Sequence, residues 1–401
     1  MTTAPRHDEQ PGAARMLAEG GSFYEFLRRW SLDPNHPKTR IWSIAITLAL
    51  AWVPLVMLAV WLGPSGAEID PLLSRAEPHA RMLVALGLLL FAEPVLDERV
   101  AMVVDSVVTD GVLRPSSAAD WNAGLAALRR SRDTRAFDLL WLVLGYGALL
   151  LAYLDLLPDW LARWLLSTLH GVDWADATVA WWWYVLIAQP LLLVVLLRWV
   201  HRWVLWGVLL WRLARLDLEL RAVHADRAGG LGFTTIPLDS LQLFVLASGV
   251  ALASVWYDEI AAGRAALSMF AGDLLAFVVL CATMMLLPYL GFTAKLVRAR
   301  EAGLIEYAAL MRRYAIAFDQ RWLAHSDRQG QELLGHPDVG ALADLRTCSA
   351  GVEEMRSVVP SGADLRAILI AVALPFVVAA LAQGPSAVQL LWNAAVRLIA
   401  P

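Results

Sequence analysis

Hydrophobic positions in this chain come in long unbroken blocks, not in short alternating runs. Apolar stretches at 41–63, 137–157, 180–199, 241–257, 267–290 and 365–381 approach or exceed the roughly 20 residues that a helix needs to cross a hydrocarbon layer. Arginine, glycine and proline collect between them. The pattern predicts an all-α, polytopic membrane helix bundle of about seven transmembrane helices with a small cytoplasmic helical layer. A weaker block at 83–104 supplies the remaining span. It is cut by Ala92-Glu93-Pro94 and followed by Asp97-Glu98-Arg99, and a proline stops or kinks a helix at the preceding turn. That span is expected to be short, broken or re-entrant, with a crossing favoured because it keeps the arginine-rich connections on one side. Kinks are expected near Pro54, Pro94, Pro190, Pro288 and Pro375.

The polar segments set the organisation. Residues 1–40 form a tail with an amphipathic piece at 22–30, 41–292 hold spans 1–6, 293–364 form a helical region, and 365–401 carry the last span and an amphipathic tail. Residues 1–40 contain no apolar core of a cleavable signal, so the first span is expected to act as the insertion signal. Arginines crowd 98–136, 198–227 and 295–366 and are sparse in the alternate connections. The positive-inside rule therefore puts these segments and the N-terminus in the cytoplasm, with the bundle in a bacterial inner membrane. Within 304–322, Leu304, Tyr307, Met311, Tyr314, Phe318 and Trp322 recur at helical spacing. That stripe predicts packing on neighbouring helices or a second copy, with docking of a partner protein as the alternative.

Composition narrows the class. The chain is 59% hydrophobic and 17% charged, an apolar excess that only lipid can absorb. A net charge of −4 argues against nucleic acid as a partner. Many of the 19 tryptophans lie at the ends of apolar blocks, where an amphipathic ring gains at the headgroup level. Cys281 and Cys348 make neither a disulfide framework nor a zinc site, and no metal or cofactor is implied. The signatures of common hydrolases, nucleotide binders and dithiol enzymes are missing too, which leans away from an enzyme.

Two groups of residues carry candidate chemistry. Glu93, beside the break at Pro94, and Asp273, inside the sixth block with an expected position facing the bundle interior, are costly in a bilayer and mark pore or proton-path positions. The second group follows the fourth block: Arg221, His224, Asp226, Arg227, Gly229, Gly230 and Gly232. It joins a titratable ring, an acceptor, fixed charges and a glycine turn able to aim N–H groups at an anion or headgroup. A plain helix stop with Asp226 paired to an arginine is the bland alternative. Asp155, Asp159, Asp258 and Glu259 are expected to form an acidic outer rim.

The run His224-Ala225-Asp226-Arg227-Ala228-Gly229-Gly230-Leu231-Gly232-Phe233 resembles the hallmark of a large group of bacterial multi-span membrane proteins of unassigned function. In that group the second residue is usually proline. The segment from Asp338 to Leu345 resembles a second motif of the group, without its Gln-Ser pair, and Ala92-Glu93-Pro94 and Met355-Arg356 are weaker echoes. The resemblance implies topology and no chemistry. Three functions remain open at this point: a channel or transporter-like permeation pathway, an enzyme acting on a lipid or polyprenyl headgroup, and a membrane scaffold.

Overall fold

The computed structural model describes residues 37–62, 71–132, 135–157, 162, 164–165, 178–323 and 336–382. The amphipathic piece at 22–30 and the tail beyond 382 lie outside them. The elements are α1 (Pro37–Leu62), α2 (Ala76–Thr109), α3 (Ala118–Arg132), α4 (Arg135–Tyr153), α5 (Val179–Arg215), α6 (Leu238–Ala261), α7 (Ala271–Leu286), α8 (Leu290–Phe318), α9 (Pro337–Glu353) and α10 (Gly362–Ala382). Among the described residues there is no strand, only an isolated antiparallel bridge between Leu113 and Leu218.

Six helical stretches are long and apolar enough to cross a membrane: α1, α2, α5, α6, the α7–α8 run and α10. The third expected span is the shorter helix α4, which ends at Tyr153 before Asp155 turns the chain with φ 52°. The protein is therefore an integral, multi-pass membrane protein. Large apolar residues left uncovered by protein, such as Ile46, Leu142, Leu280 and Ile370, line α1, α4, α7 and α10, and a hydrocarbon solvent is what such faces require.

The second span corrects the sequence reading. α2 runs through Pro94 without a break and is neither re-entrant nor short. It begins at Ala76, where Asp258 of α6 accepts from the backbone N–H groups of Ala76 and Glu77 (2.9 Å each), satisfying donors that a helix start leaves open. Asp258 is thus a cap for α2. Asp159 lies outside the described residues. Pro54 and Pro375 likewise sit inside continuous helices, while Pro288 lies in the 3-10 turn joining α7 to α8. Two segments of π-helix interrupt the regular winding, Ala80–Ala85 in α2 and Tyr184–Ala188 in α5, the latter ending just before Pro190.

The helix α6 is the centre of the bundle, with 61% of its apolar window buried against 22% for α1. Gly249 of α6 lets α10 approach, since a Cβ there would stand 2.9 Å from Cγ of Pro375. Trp256 of α6 packs its ring between Phe270 (4.9 Å) and Phe376 (4.8 Å), which fixes the start of α7 and the end of α10 at the same end of the bundle. At the other end, α10 starts with a capping box: Ser361 Oγ accepts from Asp364 N (3.2 Å) and Asp364 Oδ2 accepts from Ser361 N (2.6 Å).

Beyond that second end lies a helical layer. Glu219 N donates to Val112 O (2.8 Å), and α3 is held to α5 by Arg212 Nη1 on Gly124 O (2.8 Å). The stripe on α8 packs against α9, where Tyr314 Oη donates to Asp338 O and Trp322 Nε1 to Asp338 Oδ2 (3.1 Å each). α9 itself starts on His336, whose Nδ1 accepts from Asp338 N (3.2 Å). Tyr314 and Trp322 of the stripe thus make their contacts within the chain.

Candidate functional site

The glycine turn between α5 and α6 folds around one carboxylate. Asp226 Oδ1 accepts from Ala228 N (2.8 Å) and Gly230 N (3.1 Å), and Oδ2 accepts from Gly232 N (2.7 Å). Gathering those donors on one side of the chain takes a run of left-handed residues: Arg227 (φ 55°), Gly229 (φ 69°) and Gly230 (φ 94°). His224 Nδ1 lies 2.9 Å from Asp226 Oδ1. Partial burial opposes ionisation of Asp226, but the N–H groups of Ala228, Gly232 and Gly230 and the His224 ring outweigh it, so the carboxyl titrates below its ordinary range.

The N–H groups expected to face an anion or headgroup point instead to the chain's own Asp226. Met355 and Arg356 close the turn from outside: Arg356 N donates to Arg227 O (2.7 Å), and Arg356 Nη2 to Asp226 O (2.8 Å). His224, Asp226, Gly229, Gly230 and Gly232 come together as the spacing suggested. Arg221 and Arg227 join them through the backbone, Arg221 N donating to Gly229 O (3.1 Å) and Arg227 N to His224 O (3.0 Å), but not through their side chains. Each is mostly exposed and turned to a separate acid, Arg221 to Glu219 and Arg227 to Glu354 (3.0 Å).

Inside the bundle, Glu93 is the hub of a charge network. Arg198 Nη2 and Arg202 Nη2 both reach Glu93 Oε1 at 2.6 Å, and Arg202 Nη1 reaches Asp97 Oδ1 at 2.7 Å. The acids lie one turn apart on α2 and the arginines one turn apart on α5, so two helical faces meet as complementary ladders. All four side chains keep only 16–18% of their exposure. Flanking pairs tie in α1 and α6, through Arg40 to Glu98 (3.3 Å) and Arg99 to Asp239 (3.0 Å). Above this layer Trp199 closes the core, stacked on Phe244 (5.6 Å) with its Nε1 on Leu89 O (3.2 Å).

A second polar centre occupies the opposite half of α2, about 18 Å away by helical rise from Arg81 to Glu93. Arg81, fully enclosed, reaches Glu77 Oε1 (2.5 Å), Gln189 Oε1 (3.4 Å), Trp164 O (2.7 Å) and Ala251 O (3.4 Å). Tyr184 Oη also donates to Gln189 Oε1 (3.1 Å), while Gln189 Nε2 finds no partner among the described residues. Arg81 and Tyr184 lie in the two π segments, which place them in the core.

Asp273 stands apart from both centres. It sits in the first turn of α7, half-buried, at the Trp256 end of the bundle, where its charge favours the helix N-terminus. Asp273 thus belongs to a different part of the bundle from Glu93.

Arg198 and Arg202 fall in the arginine-rich stretch 198–227 that serves to set topology, and Glu77 and Arg81 lie just before the weak block at 83–104 and are not singled out. The i, i+4 spacing of Glu77/Arg81, Glu93/Asp97 and Arg198/Arg202 was the signal available for all three pairs. Comparison with known proteins adds no guide: no family model, no curated protein and no solved structure matches this chain.

Proposed function

We propose that this protein is a carrier- or channel-like permeation protein, with the Glu93–Asp97–Arg198–Arg202 network as its functional centre. The observation that carries the reading is the placement of four charges inside two spanning helices next to Pro94. Such pairs contribute little net stability compared with apolar side chains of the same volume, so stability alone does not account for them. Charges at membrane depth most often serve a substrate or ion path. Proline gives the path a place to move, because Pro94 offers no N–H to the carbonyl of Leu90 and loosens α2 at the hub. The buried Trp199–Phe244 stack next to the network fits a gated carrier better than an open pore.

The headgroup-enzyme reading has less behind it, since the N–H groups that would hold a phosphate are engaged by Asp226. The arginines cluster on the glycine-turn end of the bundle, among them Arg114, Arg212, Arg215, Arg298, Arg300 and Arg356. We place that end in the cytoplasm and the bundle in a bacterial inner membrane.

Flux in proteoliposomes tests the function. Wild-type protein is expected to move small ions above the rate of empty vesicles, and Arg202→Met to abolish the excess. Rates equal to empty vesicles across cations, anions and pH would remove the permeation reading.

A further inference from the structure

Which member of the network would meet a substrate follows from its geometry. Two guanidinium groups converge on one oxygen, Glu93 Oε1, at 2.6 Å each. Arg202 splits its fork, with Nη2 on Glu93 and Nη1 on Asp97. This is the donor arrangement that receives a forked oxyanion, here satisfied by two tethered carboxylates.

The two sides of the network are not equally fixed. Arg198 and Arg202 rise from an unbroken stretch of α5, Gln189–Arg215, pinned by the buried Trp199 between them. Glu93 and Asp97 flank Pro94, where α2 lacks a backbone hydrogen bond. The arginines are therefore preorganised, and the acids sit on the segment best able to withdraw. Access differs from the second centre as well: the network keeps 16–18% of its exposure, whereas Arg81 and Glu77 keep 0% and 2%.

We propose that Arg198 and Arg202 form the binding seat of a small oxyanion, with carboxylate, sulfate or phosphate oxygens, and that Glu93 and Asp97 occupy the seat in its absence. The incoming anion takes the Nη groups of Arg202 as a fork and Nη2 of Arg198 on a shared oxygen. Glu93 is then a competitor of the substrate and not a ligand for a cation. The inference rests on the permeation reading and adds the substrate class to it.

The seat makes a signed forecast. Uptake of labelled succinate, sulfate and phosphate would be measured in proteoliposomes, with rubidium as the cation, and each variant checked for a monodisperse peak in size-exclusion chromatography. At least one oxyanion is expected to show saturable uptake. Glu93→Gln should lower its KM by about three- to tenfold, because the competing charge is gone, while Arg202→Lys, which loses the fork, raises it roughly tenfold. Arg202→Met should abolish uptake; should that variant fail to fold, the opposite signs of the Gln and Lys variants decide alone. Uptake of rubidium with no oxyanion uptake would overturn the anion seat and leave permeation standing. A loss of oxyanion affinity in Glu93→Gln matching that in Arg202→Lys would overturn the competitor role. No flux of any ion would remove both readings.

Discussion

Asp226 shows how one residue can decide the shape of a whole connection. Its carboxylate gathers three backbone N–H groups that the glycine turn would otherwise leave facing nothing. Removing it strands those donors, so Asp226→Ala should destabilise the protein by about 2–4 kcal/mol, read as a lower unfolding midpoint in detergent. The pH dependence follows from the direction of its shift. A carboxyl whose folded pKa is depressed contributes stability above its unfolded value, near 3.9, and loses it as pH falls through the lower folded value. Wild-type protein should therefore lose stability as pH falls below about 4, and Asp226→Asn should be less stable at neutral pH with that part of the acid slope missing. Equal acid slopes in the two proteins would show that the turn is held by something else.

Arg81 poses the converse case. Arg81→Met leaves Glu77 enclosed without its guanidinium and should cost about 3–5 kcal/mol, whereas Glu77→Gln combined with Arg81→Met should cost less than the sum of the single changes. Thermal unfolding of the set in one detergent checks this.

Among the elements, α2 is the one whose sequence and structure disagree most. Ala92-Glu93-Pro94 reads as a break because proline removes a helix hydrogen bond and charge is costly in lipid. Neither penalty decides the outcome, because Arg198 and Arg202 on α5 compensate the charges and α6 and α1 pack along the same helix. Local rules describe a helix alone in lipid, and α2 is surrounded by other helices. The same holds at its start, which lies ahead of the apolar block at 83–104 and where Asp258 caps the helix from α6. Packing at element scale is tight where α6 meets α10. Gly249→Ala should destabilise the bundle by about 1–3 kcal/mol, since its Cβ would meet the ring of Pro375. Gly147→Ala in α4, with nothing near the added methyl, should be neutral or stabilising. Matching unfolding midpoints for the two variants would argue against close α6–α10 packing.

For the whole molecule, hydropathy alone made the membrane class and the helix positions legible, because lipid forces continuous apolar helices. The glycine turn was legible as a cluster, since its residues are neighbours in sequence. The charge network was not, because its two halves are 105 residues apart from Glu93 to Arg198 and meet only through helix packing. For a related reason, sequence shows that Asp273 lies in an apolar block but not which way its helix face turns.

A network proposed to serve transport differs from one that only holds α2 to α5, and one variant separates the two. Replacing all four charges by apolar residues (Glu93→Leu, Asp97→Leu, Arg198→Met and Arg202→Met) removes the desolvation cost together with the attraction. With a transport role, the variant is expected to unfold at or above the wild-type temperature while its flux in proteoliposomes falls to that of empty vesicles. Wild-type flux through this variant would contradict it and return the four charges to a structural role.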